Sequence, residues 1–226
     1  YYFLAMLDSI DLSLSTATIP KMLGIFWFNT KEISFGGCLS HMFFIHFFTV
    51  MESIVLVAMA FDRYVAVCDP FHYVTTMSHH HCVLLVAFSC SFPHLHSLLH
   101  TLLLNRLTFC DSNVIHHFLC DLSPVLKLSC SSIFVNEIVQ MTEAPIVLVT
   151  PFLCIAFSYI RILTTVLKIP STSGKRKAFS TCGFYLTVVT LFYGSIFCVY
   201  LQPPSTYAVK DHVATIVYTV LSSMLN

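Results

Sequence analysis

Five stretches of this chain, 33–51, 70–105, 144–160, 178–209 and 212–226, contain no Asp, Glu, Lys or Arg. A helix needs roughly 20 mostly apolar residues to cross a hydrocarbon core, and a membrane β-strand needs only about 10, alternating. None of the runs alternates with period two, so they read as helices. Only 10% of the 226 residues are charged, against about 25% in soluble domains, which leaves too few charges to cover a soluble surface. Eleven Lys and Arg are matched by eleven Asp and Glu, so no basic face for nucleic acid is expected. With 57% hydrophobic residues, disorder is excluded. An all-α polytopic membrane protein remains.

Six spans are expected, at about 1–28, 36–66, 81–104, 134–168, 175–201 and 208–226, forming one bundle with a long connection at 105–133. Tyr1 lies in apolar sequence and Asn226 has no polar tail after it, so the sequence reads as an internal stretch of a longer chain. Lys168, Lys175, Arg176 and Lys177 fall within ten residues. Basic short loops face the cytoplasm, which puts the Arg63–His81 connection inside and 29–35, 105–133 and 202–207 outside. A merely solvated basic loop fits the same topology. Compartment then sorts the ten cysteines: Cys38, Cys110, Cys120 and Cys130 lie outside and can oxidise, while Cys68, Cys82, Cys90, Cys154, Cys182 and Cys198 lie in spans or toward the cytoplasm.

Ionisable residues inside spans are costly and point to function. At 1.5 Å per residue, Cys38 to Arg63 covers ~37 Å, about one bilayer with part of its headgroups. Glu52 then lies ~16 Å above the inner rim and Asp11, on the preceding span, ~15 Å above it. Two carboxylates at equal depth suit a sodium ion or a proton, with Ser15 and Ser222 as neutral ligands. Asp62-Arg63-Tyr64 closes the span at the inner edge. By itself such a triplet is an ordinary interfacial anchor; one bilayer below a loop cysteine, it is more specific.

Met59-Ala60-Phe61-Asp62-Arg63-Tyr64-Val65-Ala66-Val67-Cys68 resembles the inner end of the third helix of odorant receptors, a branch of the rhodopsin-like G-protein-coupled receptors. Pro20-Lys21-Met22-Leu23 resembles their second helix, Ser158-Tyr159 the end of their fifth, and Lys177-Ala178-Phe179-Ser180-Thr181-Cys182 with Leu191-Phe192-Tyr193-Gly194 their sixth. The resemblance covers all 226 residues and implies a rhodopsin-like seven-helix bundle of which helices two to seven are present. It implies that Cys38 pairs with Cys120 and Cys110 with Cys130, and that Asp11 and Glu52 match an ion site. Asp62, Arg63 and Tyr64 would couple to the G protein, Arg63 rearranging on activation with support from Tyr159, and Asn226 would open an Asn-Pro motif. Residues through about Asp69 look like the fish-like class of these receptors, Lys21–Phe28 and Ile45-His46 included, and those from about Ser78 like the tetrapod class, as in a composite of two branches. Tyr200-Leu201-Gln202-Pro203-Pro204 lacks the cation that anchors acidic odorants in the fish-like class, which argues against a carboxylic-acid ligand.

Bundle pockets are mainly apolar with a few directing polar groups. Ile45, His46, Thr49 and Val50, then Glu143 and Val147, then Tyr193, Ile196, Phe197 and Tyr200, and finally Thr215, Ile216 and Thr219 would line one suited to a small volatile molecule. His46 and Tyr193 would supply its hydrogen bond, the bland alternative for either being a satisfied interhelical bond. Ligand binding would shift a conformational population by no more than its differential affinity. Tyr193 lies ~24 Å along its helix from Lys177, so a small outer rotation becomes a large inner displacement.

The implied partners are a small volatile odorant, a heterotrimeric stimulatory olfactory-type G protein that raises cyclic AMP, and membrane lipids. The implied location is the plasma membrane, and in the family the olfactory cilia. No cofactor is expected beyond the sodium ion or proton. The alternative is a transporter or ion channel with Asp11 and Glu52 on the ion path, but no inverted repeat is visible. Gly-x-Ser-x-Gly, His-Glu-x-x-His and paired-aspartate motifs are missing, so no enzyme is expected. His79-His80-His81 is at most a weak chelator. His117-Phe118-Leu119-Cys120-Asp121 has metal-like spacing, but Cys120 is wanted for a disulfide, so no metal site is expected.

Overall fold

Ser34 and Ser78 begin two long helices by the same device. Each side chain accepts an N–H three residues on, from Gly37 at 3.2 Å and His81 at 3.4 Å, filling one of the donors a helix start leaves bare. In the computed structural model, residues 2–28, 34–109, 122–126, 128–168, 182–183, 185–194 and 196–197 are described, the first helix with its side chains to Ala17. They form α1 (Tyr2–Phe28), α2 (Phe35–Cys68), α3 (Tyr73–Thr76), α4 (His79–Asn105), α5 (Leu122–Leu126), α6 (Phe134–Ala144), α7 (Thr150–Leu167) and α8 (Tyr185–Gly194). A single antiparallel bridge, Phe109 to Ser129, is the only strand-like pairing among the described residues.

The first four expected spans correspond to α1, α2, α4 and the run α6–α7. Among the described residues three helices, Phe35–Cys68, His79–Asn105 and Phe134–Leu167, are long and apolar enough to cross a membrane. Of the fifth expected span α8 is described; the sixth, the basic Lys175–Lys177 loop and Asn226 lie outside the described residues.

Prolines set the punctuation. Pro70 cannot continue α2, and a 3-10 turn Pro70–His72 follows. Pro145 lacks an N–H, and Pro145–Val149 winds as a π-helical turn between α6 and α7, a local widening of the kind found at functional places. Pro93 sits buried inside α4.

The up-and-down order follows from contacts at the two ends of α2. Cys68 Sγ lies 3.4 Å from Thr165 Oγ1, so α2 and α7 finish together. Phe61 shares a groove of 700 Å³ with Met77, His81 and Phe88 at the start of α4, while Cys38 and Met42 pack with Leu104 at its end, so α4 runs the other way. α8 meets α2 through Tyr185 at Leu56 and Tyr193 at Ser53, again antiparallel. Half of the most apolar stretch of α2 is buried, against 17% for α4 and for α6–α7: α2 is the axis and the others surround it.

Surface and core are inverted relative to a soluble bundle. α4 turns Leu84, Phe88, Leu95, Leu98, Leu99 and Leu102 outward and buries Ser89, Ser97 and His100. Where lipid is the solvent, apolar side chains lose nothing by facing out and polar ones must find partners inside. Many Ser and Thr hydroxyls solve this within their own helix, as Ser89 does by donating to the Leu85 carbonyl and Thr101 to that of Ser97, at 2.7 and 2.8 Å.

Candidate functional site

Polar groups are stacked along α2 at three depths. At the inner end, Arg63 Nη1 donates to Tyr159 Oη at 3.0 Å, and its guanidinium lies 4.5 Å over the Tyr185 ring. Tyr159 and Tyr185 stack at 5.0 Å with planes 7° apart, and Tyr185 Oη bonds the Leu56 carbonyl. The grip on Arg63 is thus made by two uncharged phenols. Asp62, its neighbour in sequence, accepts instead from Tyr73 Oη of α3 at 2.8 Å. That bond holds the proton on Tyr73, pushing the phenol up to about 12, with burial adding to it. Tyr64 is half-buried against the main core.

In the middle layer, Glu52 is fully buried and Asp11 nearly so. Neither Glu52 oxygen has a hydrogen-bond partner among the described residues. The two acids expected at matching depth are both in the bundle interior, with Phe3, Leu7, Ile10 and Leu14 of α1 packed into one core with Val55 and Leu56 of α2. Ser15 is half-buried; Ser222 lies outside the described residues. Beside Glu52, Ser53 Oγ shares a 2.8 Å hydrogen bond with Tyr193 Oη and makes a long 3.5 Å one to the Val147 carbonyl in the π turn. This ties α2, α8 and the α6–α7 junction together.

The outer layer holds the expected pocket residues. Val50 and Ile196 are buried, Ile45 and Phe197 pack against the core, and Thr49, Glu143 and Val147 are half-buried. His46 Nδ1 bonds the Met42 carbonyl in its own helix at 3.1 Å, not another helix, which leaves Nε2 as the group it can offer elsewhere. Tyr193 is buried and its hydroxyl is engaged with Ser53. Glu143 is engaged too: His96 and His100 of α4 bring their Nε2 atoms to its Oε2 at 3.1 and 2.7 Å. Tyr200, Thr215, Ile216 and Thr219 lie outside the described residues.

Cys38 and Cys130 are both disulfide-bonded. Cys110, Cys120 and the His117 motif lie outside the described residues. Among the described residues Cys68, Cys82, Cys90, Cys154 and Cys182 are free; Cys198 lies outside them.

Four groups were missed in the sequence. Ser53 adjoins Glu52, yet a serine in a helix carries no pattern of its own. Tyr73 needed the fold of the α2–α4 connection. Tyr185 lies one heptad before Phe192 on the same stripe, and only the cation above it gives it meaning. His96 and His100 are four apart and share a helix face; that spacing was visible, and its partner Glu143, 43 residues on from His100, was not.

A family model described as olfactory receptor matches residues 1–226. The chain is 83% identical over 226 residues to Olfactory receptor 1L8 of Homo sapiens, covering all of this chain and 73% of that relative. Olfactory receptor 1L1 of Homo sapiens is 62% identical, with all of this chain and 63% of the relative covered. Olfactory receptor 1E16 of Mus musculus is 48% identical over 227 residues, again covering the whole chain and 72% of the relative. The match to Olfactory receptor 1L8 spans both the part that looks like the fish-like class and the part that looks like the tetrapod class. The transporter or channel alternative finds no support among these relatives.

Proposed function

The chain belongs to the olfactory receptor family, and from that premise we propose which of its residues meet the odorant, the G protein and an ion. It is an odorant receptor and not an enzyme, a rhodopsin-like helical bundle of the multi-pass plasma-membrane kind. G-protein coupling is typical of the family; the partner proposed here is a stimulatory olfactory-type G protein that raises cyclic AMP, in olfactory cilia.

The odorant is a small volatile molecule, held between the outer half of α2, the α6–α7 junction and the outer end of α8 with the residues after it, by Ile45, His46, Thr49, Val50, Glu143, Val147, Tyr193, Ile196 and Phe197, with Tyr200, Thr215, Ile216 and Thr219 completing the wall. His46 Nε2 is the directing group, since Nδ1 is occupied. Tyr193 reports ligand contact through Ser53, because its hydroxyl already bridges α8 to α2. Asp11 and Glu52, with Ser15 and Ser222, hold a sodium ion or a proton. Cys38 with Cys120 and Cys110 with Cys130 pin the outer loop, in keeping with the bonded state of Cys38 and Cys130.

The observation that carries the mechanism is the grip of Tyr159 and Tyr185 on Arg63. Hydrogen bonds to a charged group contribute ~1.5–3 kcal/mol and a cation–π contact ~0.5–2 kcal/mol. A ligand needs a differential affinity of only that order to shift this end between two arrangements. Asp62 is occupied by Tyr73, so Arg63 answers to the α7 and α8 phenols. The test is cyclic AMP in cells expressing the receptor against a diverse odorant panel: a dose-dependent rise supports the reading, and ion flux without G protein refutes it.

A further inference from the structure

Three ligand-type atoms converge from two helices in the outer half of the bundle: His96 Nε2, His100 Nε2 and a Glu143 carboxylate oxygen, all within 4.8 Å of one another. From the geometry we infer a binding site for a divalent transition-metal ion of imidazole–carboxylate preference, Cu²⁺ or Zn²⁺, bridging α4 and α6.

The ligand set comes first. Two imidazoles and one carboxylate suit copper and zinc, and three protein ligands with a fourth position open is a common zinc arrangement. His96 and His100 are four apart on one helix, so both rings project from the same face, with centroids 4.8 Å apart. Glu143 comes from the next span, so an ion here joins two helices. Nε2 of each ring already lies at 3.1 and 2.7 Å from Glu143 Oε2. Metal–nitrogen and metal–oxygen bonds of about 2.0–2.2 Å separate neighbouring tetrahedral ligands by ~3.4 Å, so the cluster opens slightly to admit the ion and needs no helix movement.

Charge comes second. Glu143 has no Lys or Arg partner among the described residues, and its ion-pair partners there are the two histidines. A carboxylate at this depth needs a compensating cation. A proton on one ring supplies a single positive charge; a divalent ion supplies two and occupies all three ligand atoms together. The side chains of His96 and His100 are 9% and 5% exposed, so the site excludes most competing water.

The third consideration is access. His100 lies five residues and His96 nine from the outer end of α4, or ~8 and ~14 Å deep, and Glu143 is nine residues into α6, ~14 Å. All three thus lie at similar depth in the outer half of their spans, nearer the extracellular rim than the cytoplasmic one. The His46 ring stands 5.7 Å from that of His100, and its own Nδ1 is tied to Met42, which turns Nε2 into the donor available for the open position. Metal loading therefore fixes α4 to α6 beside the group proposed to direct the odorant. The ion site itself does not depend on the odorant assignment, and its test uses no odorant.

The exposed run His79-His80-His81 and the His117 motif would also take up metal, so all four histidines are replaced by Ala in the background. The receptor, purified in lipid nanodiscs, is titrated with Cu²⁺ alone. One equivalent should bind, with an electron paramagnetic resonance signal split by two imidazole nitrogens and displaced by excess Zn²⁺. His96→Ala and His100→Ala should each weaken binding at least ~10-fold, the loss expected even for lesser perturbations of a metal shell. Glu143→Gln still hydrogen-bonds both rings, so it preserves packing while removing the charge, and it should also weaken binding ~10-fold. Thermal melting of each variant separates loss of the ion from loss of the fold. Absence of bound copper in the folded background protein, or an unchanged signal in Glu143→Gln, overturns the site.

Discussion

The two ends of α2 handle charge in opposite ways. At the inner end a cation, Arg63, is held by the neutral hydroxyl of Tyr159 and the neutral ring of Tyr185. Across from its outer half an anion, Glu143, is held by two imidazoles. Releasing Arg63 strands no second charge, and the guanidinium can reach the headgroup region as it moves. Separating Glu143 from His96 and His100 would leave a carboxylate inside the bundle, at a cost of several kcal/mol. Under the proposed mechanism a receptor that must open at one end and keep its shape at the other would benefit from this asymmetry, the inner contacts serving as a releasable clasp and the outer ones as a brace.

The contrast can be broken from either end. Cys38→Ser removes the disulfide at the outer start of α2. Loss of a native disulfide typically costs ~2–5 kcal/mol, and surface display of an epitope-tagged receptor should be abolished in flow cytometry; normal display would show that the outer frame stands without it. Arg63→Ala deletes the clasp, removing interactions worth roughly 2–5 kcal/mol together. Cyclic AMP output should be silenced while odorant binding stays largely intact, and persistent signalling would refute the assigned role.

Finer changes sharpen the comparison. Tyr159→Phe keeps the stack on Tyr185 and deletes one hydroxyl, so it should reduce signalling potency about 10-fold, the equivalent of ~1.4 kcal/mol. An effect as large as that of Arg63→Ala would mean the ring, not the hydroxyl, is the working part. His46→Phe should shift potency by roughly 3- to 10-fold, consistent with one neutral hydrogen bond, and selectively across an odorant panel. A uniform loss for all odorants would instead place His46 in the brace.

Much of the inner end was legible in sequence because depth in a membrane is a one-dimensional count. Cys38, Glu52 and Arg63 lie on one uninterrupted helix, so spacing alone orders them from rim to rim. The same count put Asp11 level with Glu52, and both are buried in the interior. Partners resisted prediction wherever they came from another element. For Tyr193 the sequence leaves open a ligand contact or an interhelical bond, and the bond that forms is to Ser53. Glu143 is expected at the pocket wall, and what the sequence does not show is that two histidines hold it there.

Order along the chain is enough to make this a stack of apolar helices, to set which way each points, and to fix how deep each ionisable group sits. Those properties depend on runs of residues and a fixed rise per residue, with lipid selecting helices because every backbone group must be satisfied within the span. Which face of each helix meets which neighbour is settled by packing in three dimensions. Rotation about a helix axis is weakly encoded when lipid and core are equally apolar, and a hydrogen bond between residues 43, 96 or 140 positions apart exists only once those rotations are fixed.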